Sequence, residues 1–425
     1  LYWELQELPT DEAIIAWNDG NLFHLWRNDW SSSNEFVRAM YNRLYYQIAV
    51  ANEFLREATD SKLDSRGISG DDRTRVETYR AEARFLRAFS YWNALDMFGN
   101  VPFVTEENKV GSFFPEQIQR ADLFDYVEQE LLDIESNLKA PKENDYGRVD
   151  RAAAWMLLAK LYMNAEVYTG EARWGDAVTY IQKILDSSYQ LHDSYQELFL
   201  ADNHTANGII FPIAFDGVNT KTYGGTTFIV HAAVGGEMNA AEFGVGGGWG
   251  GTRATSPLWN KFDKDNDKRY MFFENGQSEE INDPYQFTQG YAVTKFKNVT
   301  SDGNPGKDEE FVDTDWLIFR LADAYLMYAE AAVRGAEGAD MGQAVSYVND
   351  LRTRAGLPGE ITADDLTLQF ILDERARELY WEGHRRTDLI RFDQFAGDDY
   401  VWPWKGAVQD GRAVDEHYNL FPIPA

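Results

Sequence analysis

LLAKLY at Leu157–Tyr162 and YLMYAEA at Tyr325–Ala331 decide the fold. The first run is followed by Ala177 and Tyr180, the second by Ala344 and Tyr347. Small residues let two helices approach closely, and tyrosine or leucine fills the space beside them. This is the packing logic of tetratricopeptide helix pairs, repeated here approximately in two blocks.

Helical periodicity extends outward from these runs. Phe36, Met40, Leu44, Ile48 and Phe54 keep helical spacing from Glu35 to Ala58, with Ser32, Ser33 or Asn34 as the cap. Ala81, Phe85, Ala88, Trp92 and Leu95 form a stripe over Thr78–Met97, stopped by Gly99 and Pro102. Further helices are expected over Ile118–Leu138, Arg151–Ala165, Trp174–Ser187, Trp316–Arg334, Gln343–Ala355 and Leu366–Arg386. From His192 to Asp315 the pattern changes to Gly, Asn, Asp, Thr and short aromatic or β-branched runs. Strands are expected at Ile209–Phe215 and Phe228–His231, and Gly235–Gly251 holds eight glycines. The tail from Asp398 reads as irregular. The fold class is therefore mainly α: tetratricopeptide-like helix pairs over 35–190 and 316–392. An irregular, loop-rich insertion with a few short strands spans 191–315, within one unit of 1–425.

Composition narrows the function. Of 425 residues, 70 are acidic and 40 basic, a formal charge of -30 that argues against nucleic acid and acidic polymers and suits a neutral ligand. Cysteine is absent, which excludes disulfides, thiolate metal sites and a cysteine nucleophile. No apolar run reaches transmembrane length. The sequence starts in mid-stride at Leu1, so a natural N-terminus upstream is expected and export is not excluded.

Taken in order, six stretches resemble the SusD/RagB family of outer-membrane glycan-binding lipoproteins. They are YRAEARFLRAFSYWNALDMFGNVPFV (Tyr79–Val104), GRVDRAAAWMLLAKLY (Gly147–Tyr162), FRLADAYLMYAEAA (Phe319–Ala332), LRTRAGL (Leu351–Leu357), ILDERARELYWEGHRRTDLIRF (Ile371–Phe392) and NLFPIP (Asn419–Pro424). The resemblance implies a helical scaffold with a ligand-facing irregular portion. It implies a lipid anchor upstream of this sequence, on the extracellular face of the outer membrane. It also implies a SusC-like TonB-dependent transporter as partner, to which a captured oligosaccharide is delivered without catalysis.

Two regions are candidate carbohydrate sites. WNDGNLFHLWRNDW at Trp17–Trp30 sets three tryptophans among amides, carboxylates and arginine, a mixture that holds a polar, planar ligand. In the family, the segment after TDEA (Thr10–Ala13 here) faces ligand. Trp17 and Trp26 are the expected sugar-stacking platforms, with Asn18 and Asp19 meeting hydroxyls. The alternative is a loop whose tryptophans plug the core. GVGGGWGGTRATSP at Gly244–Pro257 is the second region: Trp249 is the expected platform and Arg253 a hydroxyl donor, or else a clamp on the loop. No Gly-Lys-Ser/Thr ending follows, so it is not a phosphate loop. Tyr285, Tyr291 and Trp402–Trp404 are further aromatic candidates, at least half of them expected in the core. A neutral glucan follows, with a β-1,3-glucan such as laminarin as the particular expectation and starch-like α-glucans and fructans left open.

Other charged patterns read as structural. Arg80, Arg84 and Arg87 form a basic stripe expected to pair with carboxylates. Asp263, Asp265 and Asp267 alternate like the start of a calcium loop, but the required glycine and terminal glutamate are missing. Capping and pairing with Arg269 are expected instead, with no cofactor assigned and calcium kept only as an open option. ERARELYWEGHRR at Glu374–Arg386 reads as a salt-bridge lattice. Two rivals stand beside the binder. A glycoside hydrolase needs two opposed carboxyls, and no distinctive pair, HExxH or GxSxG occurs. A tetratricopeptide interaction scaffold would bind peptide and leave the loop tryptophans as packing.

Overall fold

The computed structural model describes residues 1–111 and 113–425. An N-terminal segment carries α1 (Tyr2–Gln6), β1 (Ile14–Ile15) and α2 (Phe23–Arg27). Next come α3 (Glu35–Glu57), α4 (Asp60–Ser65) and α5 (Gly70–Phe98), then the pair β2 (Val101–Pro102) and β3 (Gln117–Ile118). The first scaffold block ends with α6 (Arg120–Ile134), α7 (Arg151–Met163), α8 (Ala165–Thr169) and α9 (Trp174–Leu185). The loop-rich part holds β4 (Ile209–Ile213), α10 (Gly225–Ala233), β5 (Thr252–Arg253), α11 (Ser256–Trp259), β6 (Phe272–Phe273) and β7 (Ala292–Val293). The chain then runs through β8 (Trp316–Arg320), α12 (Leu321–Val333), α13 (Met341–Arg354), α14 (Leu368–Leu379) and α15 (Arg385–Arg391).

The two alanine-tyrosine blocks build equivalent hairpins. Helix α7 packs on α9 and α12 on α13, and α9 packs against α12 to join them. Tyr162 meets Tyr180 at 5.8 Å between ring centroids, and Tyr325 meets Tyr347 at 4.5 Å. Ala177 and Ala344 are fully buried at the two interfaces, where a larger side chain would hold the helices apart. Helices α3, α5 and α6 extend the array. Asn34 supplies the cap of α3, its Oδ1 accepting from the amides of Phe36 and Val37. No helix among the described residues is long and apolar enough to cross a membrane.

Three expected elements differ. Trp316–Arg320 is a strand, not the first turn of a helix: it pairs antiparallel with β4, Ile213 opposite Trp316 and Ile209 opposite Arg320. WLIFR is rich in residues that suit a pleated surface, and a partner strand was all it needed. Phe228–His231 lies inside α10, a helix buried on nearly every side; a short all-apolar run carries no period to separate helix from strand. The helix expected to Arg386 stops at Leu379, because Trp381 takes the left-handed conformation (φ 64°). There its indole Nε1 donates to the Glu12 carbonyl at 3.2 Å and its backbone amide to the Glu12 carboxylate. Tertiary hydrogen bonds outweigh the local preference for continued helix.

The charged patterns are structural. Arg80 pairs with Asp60, Arg84 with Glu130 and Asp133, and Arg87 with Glu130 and Glu106. Both oxygens of Asp267 grip Arg269, while Asp263 accepts from Asn266 within its own turn. Around the 374–386 segment the lattice is buried: Glu374 and Glu378 receive Arg269, Glu378 receives Arg320 and Arg354, and Glu382 receives Arg320 and Lys295.

The TDEA segment is anchored here too. Asp11 forms a two-pronged pair with Arg385, and against the penalty of burial that guanidinium lowers its carboxyl to about 2. Its neighbours behave oppositely. Glu7 and Glu12 are both buried; burial raises Glu12 to about 7 and, with the Glu12 charge nearby, holds Glu7 well above the usual carboxylate range. The folded state thus keeps a proton that the unfolded chain releases near 4.5. This stabilisation is fully present below that pH and is lost as pH rises through about 7. Melting temperature followed from acid to alkaline pH is expected to fall across this window. Glu12→Gln, which keeps an oxygen for the Trp381 amide without titrating, should flatten that limb; an unchanged limb would refute the assignment.

Candidate functional site

Strand β1 pairs antiparallel with β5, Ile14 opposite Arg253 and Ile15 opposite Thr252. The Ala16 amide continues the ladder to the Gly251 carbonyl at 2.8 Å. This ladder delivers Trp17 to the glycine-rich loop 244–251. Its indole Nε1 donates to the Trp249 carbonyl at 3.2 Å across a separation of 232 residues. The loop is fixed in turn against α10: the amides of Trp249, Gly250 and Gly251 donate to the carbonyls of His231, Val234 and Ala232, each at 2.8 Å.

A partly exposed row of aromatic rings results. Trp249 stands 6.2 Å from Trp17, tilted 43°, and 6.4 Å from Tyr223, tilted 51°. Tyr223 is 61% exposed, and its hydroxyl donates to Glu310 at 2.5 Å. His231 stacks on Trp249 at 4.7 Å and 18°, supporting the indole from one side. The His231 Nδ1 and Nε2 lie 2.7 and 3.0 Å from the carbonyls of Gly247 and Glu310, which immobilises the ring. Beneath Trp17 the rings of Phe228, Trp3 and Trp381 run edge to face into the core. Trp17 and Trp249 are thereby packed against other rings, while Tyr223 stands largely exposed at the end of the row.

Glycine makes the approach possible. A Cβ on Gly251 would fall 2.6 Å from the Trp17 indole, and one on Gly248 only 2.1 Å from the Val234 carbonyl. Gly251→Ala is therefore expected to push Trp17 off its seat. Tryptophan fluorescence should shift and ligand affinity drop at least tenfold, while far-ultraviolet circular dichroism stays the same. Unaltered affinity would mean that Trp17 is not part of the surface.

The sequence candidates separate. Trp17 and Trp249 come together on the surface. Asn18 and Asp19 lie on the exposed turn just after Trp17, and neither side chain has a hydrogen-bond partner among the described residues. Trp26 is corrected: at 2% exposure it sits in the core, covered by Trp404 at 5.9 Å and Tyr285 at 6.3 Å. Its helix α2 must cover apolar area under the N-terminal segment, and a face that fills the core is not free to stack on a sugar. Arg253 is corrected as well. It is wholly buried, and its guanidinium donates to the carbonyls of Gly251, Pro284 and Gln289 at 2.8–3.0 Å. Burial lowers its pKa to about 9; it clamps the loop from inside. Tyr291 and Trp402 are buried, Trp404 is half-buried with its indole on the Ile281 carbonyl, and Tyr285 receives Arg27.

Tyr223, Phe228 and His231 are not among the site residues expected from the sequence, where Phe228–His231 reads only as a strand. Tyr223 carried a usable signal: in KTYGG it is an aromatic followed by two glycines with no periodic apolar partners, close to the mixture that marks Trp249.

Comparison with known proteins agrees with this architecture. The profile of the SusD family matches residues 221–421, and a profile described as starch-binding associating with outer membrane matches residues 4–163. The starch-binding protein SusD of Bacteroides thetaiotaomicron is 34% identical over 98% of this chain and 81% of its own length. A SusD superfamily structure from Parabacteroides distasonis superposes with a TM-score of 0.78 at 23% identity, covering 100% of this chain and 90% of that one. Surface glycan-binding protein A of Bacteroides thetaiotaomicron, solved with laminarihexaose, gives 0.76 at 21% identity, covering 99% and 90%. The chain belongs to the SusD family of outer-membrane glycan-binding proteins. Its class is that of a surface binder of carbohydrate that does no catalysis.

Proposed function

We propose that Trp17, Trp249 and Tyr223 bind a neutral glucan, which the protein hands to a SusC-like TonB-dependent transporter while held to the outer membrane by a lipid anchor upstream of this sequence. The observation that carries this reading is the row of three rings, each turned by 43–51° from its neighbour. A pyranose presents C–H groups on one face, which an indole covers while the rim hydroxyls stay available. Rings that turn successively fit a chain that curves, as α-1,4- and β-1,3-glucans do, better than a flat ribbon. The net charge of -30 favours an uncharged ligand.

An α-1,4-glucan is the first ligand to test, supported by the starch-binding relative at 34% identity. A β-1,3-glucan such as laminarin is the second, since its neutral, helical backbone meets the same tilt. Calorimetry with maltoheptaose, laminarihexaose and cellohexaose is expected to give micromolar-to-millimolar binding of a curved glucan and none of the flat one. Preference for cellohexaose, or release of reducing ends during the titration, overturns the reading. Co-purification of a TonB-dependent transporter from native membranes tests the partner; its absence counts against the delivery role.

A further inference from the structure

His231 supports Trp249 from the last turn of α10 and is itself buried. Both of its ring nitrogens face acceptors, Nδ1 at 2.7 Å from the Gly247 carbonyl and Nε2 at 3.0 Å from the Glu310 carbonyl. A carbonyl oxygen only accepts, and a neutral imidazole carries a single N–H. In either neutral tautomer one nitrogen lone pair would point at a carbonyl oxygen. Turning the ring over would put carbon atoms where the two nitrogens stand. Only the imidazolium, with two N–H groups, satisfies both contacts. That form also suits the stacking, since a flat cation 4.7 Å from the Trp249 ring and tilted by 18° is drawn to its π face.

The two carbonyls belong to the two sides of the row. Gly247 lies in the loop that carries Trp249, and the Glu310 carboxylate accepts from Tyr223 at 2.5 Å. The segments also meet directly, the Gly246 amide donating to the Glu309 carbonyl at 3.0 Å, and the Val312 amide ties the second one to Thr227 on α10 at 3.2 Å. Around His231 the 308–312 segment carries Asp308, Glu309 and Glu310, the stretch before α10 carries Lys221 and Tyr223, and the 244–251 loop carries no titratable group. On β5, which packs on α10, Arg253 is bound to its three carbonyls. Carboxylates outnumber cations in this neighbourhood, in a chain of net charge -30, which favours a positive imidazole. We infer that His231 is a positioning residue of the glucan platform: as an imidazolium it ties the Trp249 loop to the segment that holds Tyr223, so that glucan affinity falls when the ring loses a proton. The inference rests on the glycan reading of the row.

The test is a pH profile of binding. Calorimetry with maltoheptaose (laminarihexaose if the α-glucan does not bind) is run from about pH 5.5 to 8, where an imidazole ordinarily changes charge. Four proteins are compared: the parent, His231→Asn, His231→Gln and Glu12→Gln. Asparagine keeps a donor near the Nδ1 position and glutamine one near Nε2, so each preserves one tie and neither titrates. The parent should lose at least fivefold in affinity across this range. Both His231 variants should bind at about the parent's alkaline affinity at every pH. Glu12→Gln, which removes the other group that titrates near neutrality, should keep the parent's slope. Titrations at pH 7 in two buffers of different ionisation enthalpy should show proton uptake on binding by the parent and by Glu12→Gln, and none by the His231 variants. Should neither His231 variant fold, the profile and proton uptake of the parent and Glu12→Gln decide. Constant parent affinity, no proton uptake, a slope that survives in either His231 variant, or a slope lost in Glu12→Gln overturns the inference and leaves the row standing. A parent that binds neither glucan at any pH fails the reading of the row itself.

Discussion

Replacing Trp249 by alanine is expected to weaken glucan binding by at least about thirtyfold, roughly 2 kcal/mol, the scale of a central aromatic contact. Two contacts depend on this indole, and a third on its main chain. It is the middle ring of the row, between Trp17 and Tyr223; it lies on His231; and its backbone carbonyl receives the Trp17 indole. The last contact survives the substitution, since it uses the main chain. The loss therefore reports the missing ring and not a displaced Trp17. Partial exposure of Trp249 means that the variant should keep the parent's melting temperature to within a small shift. Trp26→Ala is the contrast: a fully enclosed indole is expected to cost about 3–5 kcal/mol of stability through the cavity it leaves. Its binding, measured on the folded fraction, should stay close to the parent's. Calorimetry and thermal melts on the two variants decide the matter. A Trp249→Ala protein that binds normally would refute the site, and a Trp26→Ala protein that melts normally would refute its placement in the core.

Glu378→Ala is expected to produce the largest loss of stability. Its carboxylate is fully buried and receives Arg269 at 3.1 Å, Arg320 at 2.6 Å and Arg354. Although burial opposes ionisation, these guanidiniums hold the carboxyl well below the usual range. Removing it leaves the buried Arg354 side chain with no carboxylate and strips one from Arg269 and Arg320, which keep Asp267, Glu374 and Glu382; breaking one buried pair already costs about 3–5 kcal/mol. Against a typical total of roughly 5–15 kcal/mol, the variant should be largely unfolded or recovered in poor yield. Glu378→Gln keeps the volume but not the charge and should fall between. The exposed pair Arg75–Asp72 is the control, since its loss is expected to cost at most about 1 kcal/mol. Chemical denaturation of these variants provides the check; a Glu378→Ala protein as stable as the parent would show that the lattice is not needed for folding.

The helical scaffold was legible because its information is local. Hydrogen bonds from residue i to i−4 and apolar stripes of matching period lie within one segment of sequence, so the α7–α9 and α12–α13 hairpins could be read from alanine and tyrosine spacing. The elements misread were those set by distant partners. Trp316–Arg320 became a strand because β4 lay beside it, and α14 broke because Glu12 held Trp381. The site divided in the same way. Trp17 and Trp249 were flagged by their glycine and amide surroundings, as was Trp26, and nothing local distinguishes the three.

By itself the sequence determined the helix pairs, the acidic and cysteine-free character, the lack of any compact catalytic motif, and two regions rich in tryptophan and polar groups. Only the tertiary structure decided which rings face solvent. The β1–β5 ladder sets Trp17 beside Trp249, α2 turns Trp26 inward, and the clamp on three carbonyls holds Arg253 inside the fold. Exposure is a property of what packs on top of a residue, and for each of these the covering groups come from far along the chain.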